Sequence, residues 1–356
     1  MGKRNRNQGK GKLAVQEGDV VFVGVDCHKK DLHVAVRING ELRTCWVTPR
    51  RAGALVKQLH PLRVARTEIV YEAGPTGYGL ARRLERAGFG VRVTPPGKTP
   101  REPNRGNKSD RLDAKKLAEL AEGGRLPAVG IPTEQEDADR QIVRLRAQLL
   151  KKVRRTKQQI KGMLLYNELP SPSGWGPEQI ARLRDLPMRK ELRLVLDLRL
   201  DELAYQTAQL QRATKLIADL AKTARHAAHE RRVRTHPGVG ALTAMDFLAE
   251  VYQPERFRRT EEVVCYVGLA PSVRESGERR QEGGCVKGGR PELRRLLVQA
   301  AWRWIRLDPG AAEVYRRLVQ NTGDRRIAIV AMARRMLVNL WCMRTRGEPY
   351  RSRAAA

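Results

Sequence analysis

Residues 20–26 read VVFVGVD, and this stretch decides the fold because a short, uninterrupted apolar run ends on a carboxylate. Such a run is typical of a strand that is buried on both faces of a sheet. Residues 32–38 alternate between apolar and other side chains, which predicts a second strand. The pair Asn39 and Gly40 is a strong hairpin signal, and residues 42–47 would form the returning strand. We therefore expect three antiparallel strands at the start of the domain.

The segments after these strands alternate between helix and strand. Residues 51–60 and 78–87 have helical patterns, whereas residues 68–71 and 90–94 are short apolar-rich runs typical of strands. Three antiparallel strands followed by β-α-β units is the element order of an RNase H-like (RuvC-like) fold. The sequence therefore predicts an α/β domain that contains a mixed sheet with helices.

The remainder of the chain has a helical pattern. Residues 139–166 and 190–230 are two long amphipathic stretches on either side of a Pro/Gly-rich break, and Leu196, Leu203 and Leu210 follow the heptad step. They predict a long helical linker, either a coiled coil through which two chains dimerise or a spacer that packs within one chain. The expected organisation is a flexible basic arm, an RNase H-like domain, the helical linker, a mostly α-helical C-terminal domain and a short tail (residues 1–18, 19–125, 126–232, 233–350 and 351–356).

The composition points to a polyanionic partner. The 356 residues include 70 Lys and Arg against 39 Asp and Glu, which gives a formal net charge of +31. This excess argues against an ordinary metabolic enzyme and favours nucleic acid. No apolar run approaches the roughly 18 residues that a membrane span needs, and the low aromatic content of 5% argues against a helix on a lipid surface. We expect no membrane partner and a cytoplasmic location.

Four carboxylates are placed where the predicted fold would bring them together. Asp26 follows the first strand and Glu72 follows residues 68–71 in the same way, and active sites assemble at such strand ends. Asp110 and Asp113 lie three residues apart, on one face of the first turn of a predicted helix. Each acid alone has a simpler explanation, such as complementing a helix dipole or capping a turn. The ordered set, on so basic a chain, favours a joint catalytic role.

The four carboxylates also predict a metal site. Hard oxygen ligands suit Mg²⁺ or Mn²⁺. Two such ions, about 4 Å apart, stabilise the attacking and leaving oxygens of a phosphodiester exchange. We therefore assign Asp26, Glu72, Asp110 and Asp113 as catalytic metal ligands. His28, two residues after Asp26, is a weaker candidate for the same site.

Three segments carry a resemblance to a known family: VGVD at 23–26, YEAGPTG at 71–77 and NKSDRLDA at 107–114. They resemble the Asp-Glu-Asp-Asp core of the DEDD-type insertion-sequence transposases of bacteria, which have a RuvC-like N-terminal domain and a C-terminal serine transposase domain. The resemblance covers the chain from residue 19 to about 345. It implies an enzyme of DNA transposition that is associated with the bacterial nucleoid.

A second candidate centre is the loop at residues 268–290. Gly-Leu-Ala-Pro at 268–271 is followed by Ser272, Ser276 and Gly277, and then by basic turns rich in glycine. Exposed backbone N–H groups in such turns, with Lys and Arg beside them, bind phosphate. A basic loop without a specific ligand would look similar. The residues assigned to nucleic-acid binding are Arg274, Arg279, Arg280, Lys287, Arg290 and Arg294, together with Lys108 beside the acidic helix.

This loop resembles the serine domain of the same family, in which the serine of a Ser-Gly pair bonds covalently to a DNA phosphate. The matching residue here is Ser276, and Ser272 is the nearby competitor. The resemblance further implies a structured guide RNA (a bridge RNA) that pairs with donor and target DNA, and homodimers that assemble into tetramers. Whether Ser276 would act with the carboxylates of its own chain or of another chain is left open.

Three functions follow from these observations. The leading hypothesis is a transposase that cuts and rejoins DNA through a phosphoseryl intermediate. The second is a RuvC-like, metal-dependent nuclease or junction resolvase, in which water attacks and Ser276 only binds phosphate. The third is a non-catalytic nucleic-acid-binding protein whose carboxylates are structural.

Overall fold

The computed structural model describes residues 13–99, 110–276, 279–285 and 288–352, with the backbone alone for residues 98, 110, 111, 272–276 and 279–285. Lys108, Lys287, most of the basic arm and the end of the tail lie outside the described residues. The chain divides into two compact units, residues 1–133 and 134–356, which are described separately below.

The first unit is built on a five-stranded mixed sheet with the strand order β3-β2-β1-β4-β5. Strands β1, β2 and β3 are antiparallel neighbours, whereas β4 lies parallel to β1 and β5 lies parallel to β4. Asn39 and Gly40 have φ angles of +48° and +89°, the left-handed values that a tight hairpin turn requires. All five predicted strands are confirmed; they are β1 (Val20–Cys27), β2 (Asp31–Ile38), β3 (Glu41–Pro49), β4 (Arg66–Glu72) and β5 (Gly90–Thr94).

Two helices cover one face of this sheet. They are α1 (Ala52–Leu59) and α2 (Gly79–Arg86), which correspond to the two helices predicted in this region. Val23 of the central strand is fully buried together with Leu55 of α1 and Leu84 of α2. Burial of such side chains stabilises the packing of the helices on the sheet by roughly 25 cal/mol for each Å² of apolar surface removed from water.

A third helix, α3 (Asp110–Glu122), covers the opposite face. Gly24 of β1 allows this helix to approach the sheet very closely. A Cβ atom at Gly24 would lie 2.0 Å from the carbonyl oxygen of Ala114 and 2.6 Å from the backbone nitrogen of Ala118. The backbone of α3 therefore rests on the sheet at the one position of β1 that carries no side chain.

The direction of α3 follows from the contacts of its last residue. The Glu122 carboxylate accepts hydrogen bonds from Arg37 Nε at 2.7 Å and from the backbone N–H of Gly40 at 2.8 Å. Arg37 pairs with Phe22, so this end of α3 lies beside the first half of β1. Helix α3 consequently runs antiparallel to β1, and its first turn lies towards the end of that strand.

The described part of the second unit consists of helices and one β-hairpin. None of its helices, nor those of the first unit, combines the length and hydrophobicity that a membrane span requires. The helices are α4 (Glu134–Tyr166), α5 (Pro177–Asp185), α6 (Lys190–Ala221), α7 (Ala224–Val233), α8 (Ala241–Glu250), α9 (Thr260–Val267), α10 (Pro291–Leu307), α11 (Pro309–Thr322) and α12 (Arg325–Arg346), and the hairpin strands are β6 (Pro271–Ser276) and β7 (Arg279–Cys285).

Helices α4 and α6 pack against each other in antiparallel orientation within the chain. Arg146 Nε donates to Thr214 Oγ1 at 3.1 Å, and the buried Thr156 donates to Gln206 Oε1 at 3.0 Å, so later positions of α4 meet earlier positions of α6. The two helices therefore pack within one chain, which is one of the two arrangements that the sequence allowed. Dimerisation through these helices stays a prediction. The apolar seam comprises Val153, Ile160 and Leu164 of α4 and Leu196, Leu200 and Leu203 of α6.

The prediction of one continuous helix over residues 190–230 is wrong, because α6 ends and α7 begins inside this range. The backbone N–H of Lys222 donates to the carbonyl of Asp219 at 3.1 Å and closes α6. Thr223 is extended, with ψ near 150°, and its Oγ1 donates to Leu220 O at 2.7 Å. The apolar periodicity continues across this two-residue break, which is why the pattern concealed it.

The long helices also contribute to the core of the C-terminal region. One cluster joins Val143 of α4 and Ile217 of α6 to Phe247 of α8, Leu297 of α10 and Met332 of α12. The compact unit 134–356 thus contains the predicted C-terminal domain and residues 134–232 of the predicted linker, whereas residues 126–133 belong to the first unit. A separate function for residues 126–232 stays a prediction.

A buried carboxyl in this helical core should make stability depend on pH. Asp246 is 6% exposed and its Oδ2 has no hydrogen-bond partner among the described residues. Burial raises its pKa to about 7, and the nearby carboxylates of Glu250 and Glu292 add to the rise. The folded state therefore binds this proton more tightly than the unfolded state, so Asp246 reduces stability as the pH rises from about 4 to about 7.

We expect Asp246→Asn to raise the melting temperature near pH 8 by roughly 5 °C, because the burial of a charge at this site costs a few kcal/mol. Near pH 5, only about one unit above the pKa of the unfolded carboxyl, most of this cost has not yet developed, so the gain should fall to less than half of its value at pH 8. Thermal unfolding followed by circular dichroism at the two pH values measures this. Glu313→Gln, at an exposed acid of α11, is the control and should change neither value. An equal gain at both pH values would contradict the explanation.

Candidate functional site: a carboxylate edge and a serine hairpin

Asp26 and Glu72 end two neighbouring parallel strands at the same level. Val25 of β1 lies opposite Tyr71 of β4, and Asp26 and Glu72 are the next residues on the two strands. Because their strands are hydrogen-bonded neighbours, the two carboxylates occupy adjacent positions at one edge of the sheet. This is the juxtaposition that the sequence predicted from strand order.

The two carboxylates also lie on the same face, the one that α3 covers. Gly24 contacts α3, and Val70 packs in the same cluster as the apolar residues of α3. Side chains alternate along a strand, so positions two residues further on share that face. Those positions are Asp26 on β1 and Glu72 on β4.

Helix α3 brings the remaining two acids to this edge. Asp110 is its first residue and the half-buried Asp113 lies in the same first turn. Since α3 runs antiparallel to β1, its first turn lies where β1 ends. The structure therefore gathers the three elements that carry Asp26, Glu72, Asp110 and Asp113 at one edge, which we call the carboxylate edge. That the four side chains act together stays a prediction.

Two histidines adjoin Asp26. His28 Nε2 lies 2.9 Å from Asp26 Oδ2, and the rings of His28 and His33 meet edge to face with their centroids 5.4 Å apart. His33 pairs with Asp26 across β1 and β2. The sequence analysis named His28 and missed His33, because the Asn39 and Gly40 turn sets the register of β2 with β3 and not that of β2 with β1.

Cys27 follows Asp26 but is not a candidate nucleophile. Burial raises the pKa of its thiol to about 12, and the charge of Asp26 adds to the rise. A thiol with so high a pKa stays protonated at neutral pH and is a poor nucleophile.

The carboxylate edge has the donor chemistry of a divalent metal site. Neither Glu72 nor Asp113 is held by an ion pair with a described residue, so their oxygens are not committed to the fold. Among the described residues, no three His, Cys, Asp or Glu side chains stand close enough together to hold a metal ion. The side chains of Asp26, Glu72 and Asp113 therefore do not form a closed set of metal ligands in this structure, and their role as ligands, with Asp110, stays a prediction.

The serine candidate lies at the turn of the β6–β7 hairpin. Ser276 is the last residue of β6 and pairs with Arg279, the first residue of β7. Arg280 pairs with Glu275, and Arg274 pairs with Gln281. Three of the predicted nucleic-acid-binding arginines thus share one short hairpin with Ser276. Ser272 lies near the other end of β6, away from the turn.

The base of this hairpin is closed by a contact that only glycine permits. Gly268 and Gly289 have φ angles of +82° and +91°, and a Cβ on Gly289 would lie 2.5 Å from the backbone nitrogen of Gly268. A Cβ on Gly268 would lie 2.3 Å from the carbonyl oxygen of Gly288. The N–H of Arg290 donates to the carbonyl of Val267 at 3.0 Å. The two ends of the hairpin are therefore joined through their backbones.

Arg290 and Arg294 contact this base in the structure. Arg294 Nη1 donates to the carbonyl of Gly268 at 2.9 Å. Arg290 Nη2 donates to Tyr266 Oη at 3.0 Å, and its Nε lies 3.3 Å from the buried Glu250 carboxylate. Both guanidinium groups thus help to hold the ends of the hairpin. Their predicted contact with nucleic acid stays a prediction.

The sequence analysis did not identify the buried charge that anchors Arg290. Glu250 is 5% exposed and accepts two hydrogen bonds from Arg144, at 2.6 and 2.8 Å. Burial alone would raise the pKa of Glu250, but the bonds from Arg144 and the charge of Arg290 outweigh it and lower that pKa. These partners come from α4 and from the segment before α10, so no local pattern could have indicated them.

The mixed sheet and its carboxylate edge define a DEDD-type, RNase H-like domain. Residues 23–166 match the family model of DEDD transposases of the IS110 type, and residues 230–316 match the model described as "Transposase IS116/IS110/IS902 family". The second match includes the serine hairpin. The two models therefore cover both candidate centres.

Known transposases are similar over most of their length. The chain is 31% identical to the putative transposase y4qE of Sinorhizobium fredii, over 91% of this chain and 82% of the relative. It is 29% identical to the transposase for insertion sequence element IS1533 of Leptospira borgpetersenii, over 80% and 85%. It is 27% identical to the transposase for insertion sequence element IS1111A of Coxiella burnetii, over 69% of each chain. The chain belongs to the IS116/IS110/IS902 family of insertion-sequence transposases, which are enzymes of DNA transposition.

Proposed function

We propose that this transposase cuts and rejoins DNA through a covalent phosphoserine link at Ser276, with divalent metal ions held by Asp26, Glu72, Asp110 and Asp113. The observation that carries the proposal is the carboxylate edge, where β1, β4 and α3 converge and where Glu72 and Asp113 form no ion pair with a described residue. The position of Ser276 at the turn of an arginine-bearing hairpin supports its role as the nucleophile.

The chemistry is an exchange of phosphodiester bonds. The Ser276 Oγ attacks a DNA phosphorus, an Oγ–P bond forms, and the bond from phosphorus to one strand end breaks. The hydroxyl proton of Ser276 leaves as the departing strand end gains one, so the step needs no oxidant and no nucleotide cofactor. Attack by the hydroxyl of another strand end on the phosphoserine reverses the step, rejoins DNA and restores the serine.

Bound Mg²⁺ would lower the pKa of the attacking hydroxyl and neutralise charge that develops on the phosphate. The residues of the chain would supply the rest. Arg274, Arg279 and Arg280 would hold the DNA backbone beside Ser276, because guanidinium groups bind phosphate in a fixed geometry. Lys108, Lys287, Arg290 and Arg294 complete the proposed set of phosphate contacts.

The proposal includes the partners that the family resemblance implies. A structured guide RNA would pair with donor and target DNA, and homodimers would assemble into tetramers around them. The net charge of +31 is compatible with holding both nucleic acids. RNA that copurifies with the chain, and its sequence, is the direct test of guidance.

Trapping the intermediate tests the nucleophile. Wild-type protein, incubated with donor and target DNA, guide RNA and Mg²⁺, should give a protein–DNA adduct that survives denaturation. Ser276→Ala should give none, whereas Ser272→Ala, at the competing serine of the same strand, should retain it. Cleavage without an adduct that persists in Ser276→Ala would support the water-dependent nuclease instead. An adduct lost only in Ser272→Ala would move the assignment to that residue.

A further inference from the structure

Helix α4 carries a run of positive charge that the catalytic proposal does not use. Residues 140–167 contain nine Lys and Arg and no Asp or Glu. Four of these basic residues are exposed and form no ion pair with any described residue: Lys151, Lys152, Arg154 and Arg155. We call these four residues the α4 ridge.

The α4 ridge lies on the side of the helix opposite its apolar seam. At about 100° per residue, the four positions fall on one arc, while Val153, Thr156 and Ile160 occupy the other side and are buried against α6. Gln148, Gln158 and Gln159 are exposed on the same arc as the ridge. The face from residue 148 to residue 159 is therefore entirely basic or hydrogen-bonding.

Several basic residues on the neighbouring helices α5 and α6 are held in ion pairs. Arg184 Nη2 lies 2.6 Å from Asp201, and Arg199 Nη1 lies 2.9 Å from Glu202. Lys157, which is next to the ridge, makes a cation–π contact with Trp175, with its Nζ 5.3 Å from the centroid of the ring. Like charges three or four residues apart destabilise a helix. The α4 ridge is thus a cluster of four exposed charges without an ion pair, although Arg154 is close enough to Glu292 to lower the pKa of that carboxyl.

We propose that the α4 ridge binds the phosphate backbone of double-stranded DNA outside the reacting site. The face spans about 17 Å of helix, a length over which duplex DNA carries roughly ten phosphate charges. Lys, Arg and Gln are the side chains that contact phosphate oxygens. The face from 148 to 159 has no aromatic residue, and stacking aromatics are typical of sites for unpaired bases. The inference rests on the transposase function, which makes DNA an available polyanion.

The test compares two charge-matched variants of the full chain. Both are made with Ser276→Ala and assayed without metal ions, so that binding is measured apart from the phosphoserine chemistry. The ridge variant combines Lys151→Gln, Lys152→Gln, Arg154→Gln and Arg155→Gln. The control replaces four exposed basic residues that each form an ion pair within the chain. It combines Arg182→Gln, Arg199→Gln, Lys222→Gln and Arg317→Gln.

Fluorescence anisotropy with a duplex DNA of about 30 base pairs and arbitrary sequence, over a range of salt, gives the affinity and its salt dependence. The ridge variant should bind tenfold or more weakly at low salt, with the slope of log K against log salt reduced by about 2 to 4. The control should stay within about threefold of the parent. The ridge variant should melt no lower than the parent, because it removes like-charge repulsion.

Three results would overturn the proposal. Equal weakening in both variants would mean that net charge alone matters, and unchanged binding in the ridge variant would mean that this face is not used. Loss of binding to a matched RNA duplex, with DNA binding intact, would assign the ridge to RNA. Each result is independent of whether Ser276 forms an adduct, so failure of this inference and failure of the proposed chemistry can be told apart.

Discussion

Asp26→Asn should reduce DNA strand transfer by roughly 10³-fold, because loss of a metal-ligand charge removes several kcal/mol of transition-state stabilisation. Asn keeps the size and one oxygen of the side chain but removes the negative charge from the carboxylate edge. Binding of DNA without metal ions should be unchanged or slightly tighter, since one repulsive charge is gone. Adduct formation on donor DNA, followed over time with Mg²⁺ and then Mn²⁺, measures the loss.

The matched control is Glu41→Gln, an exposed acid at the start of β3 that pairs with Arg43 at the opposite edge of the same sheet. It makes the same chemical change in the same unit and should retain full strand transfer. Glu72→Gln should behave like Asp26→Asn. If Asp26→Asn formed the adduct at the wild-type rate, the carboxylate edge would be structural and the metal proposal would fail.

Gly24→Ala should unfold or severely destabilise the α/β unit, at a cost of roughly 3 kcal/mol or more. The new methyl group would stand 2.0 Å from the carbonyl oxygen of Ala114 and 2.6 Å from the backbone nitrogen of Ala118. These are backbone atoms of α3, so no side-chain rotation relieves the clash and the helix must move off the sheet. Limited proteolysis of residues 1–133 and thermal unfolding of the full chain would detect this.

Two further variants identify the cause. Gly53→Ala, in α1 of the same unit, adds a methyl group with no atom within 4 Å and should be neutral or slightly stabilising. Gly24→Ala combined with Ala114→Gly should not recover stability, because the clash is with the backbone of Ala114 rather than its side chain. Recovery in that double variant would show that the close approach of α3 is adjustable.

The first unit was largely predictable because its signals are local. The apolar run before Asp26, the Asn39 and Gly40 turn and the strand before Glu72 each indicate an element directly, and strand order then places both acids at one edge. What the sequence did not indicate is the contact of Gly24 with α3, which fixes the position of the helix that carries Asp113. A glycine inside a strand indicates that another segment or a ligand approaches the strand closely, but the sequence pattern does not identify which segment it is.

The second unit was less predictable because its decisive contacts are distant in sequence. The buried Asp139 bonds to Arg225 and His226, on a helix whose separate existence the periodicity concealed. Arg290 was assigned to nucleic acid from its basic surroundings, yet its partner Glu250 lies on another helix. The composition shows how many charged residues the chain has. Only the tertiary structure shows which of them are already paired within the protein and which can contact a ligand.

The closed base of the β6–β7 hairpin has a consequence for how this segment can change. Because Gly268 and Gly289 meet directly, the ends of the intervening chain are held together whatever its length. Closing a longer loop between fixed ends costs only about 0.6 kcal/mol for each doubling of its length. The segment that carries Ser276 can therefore gain or lose residues without any change in the helices that support it.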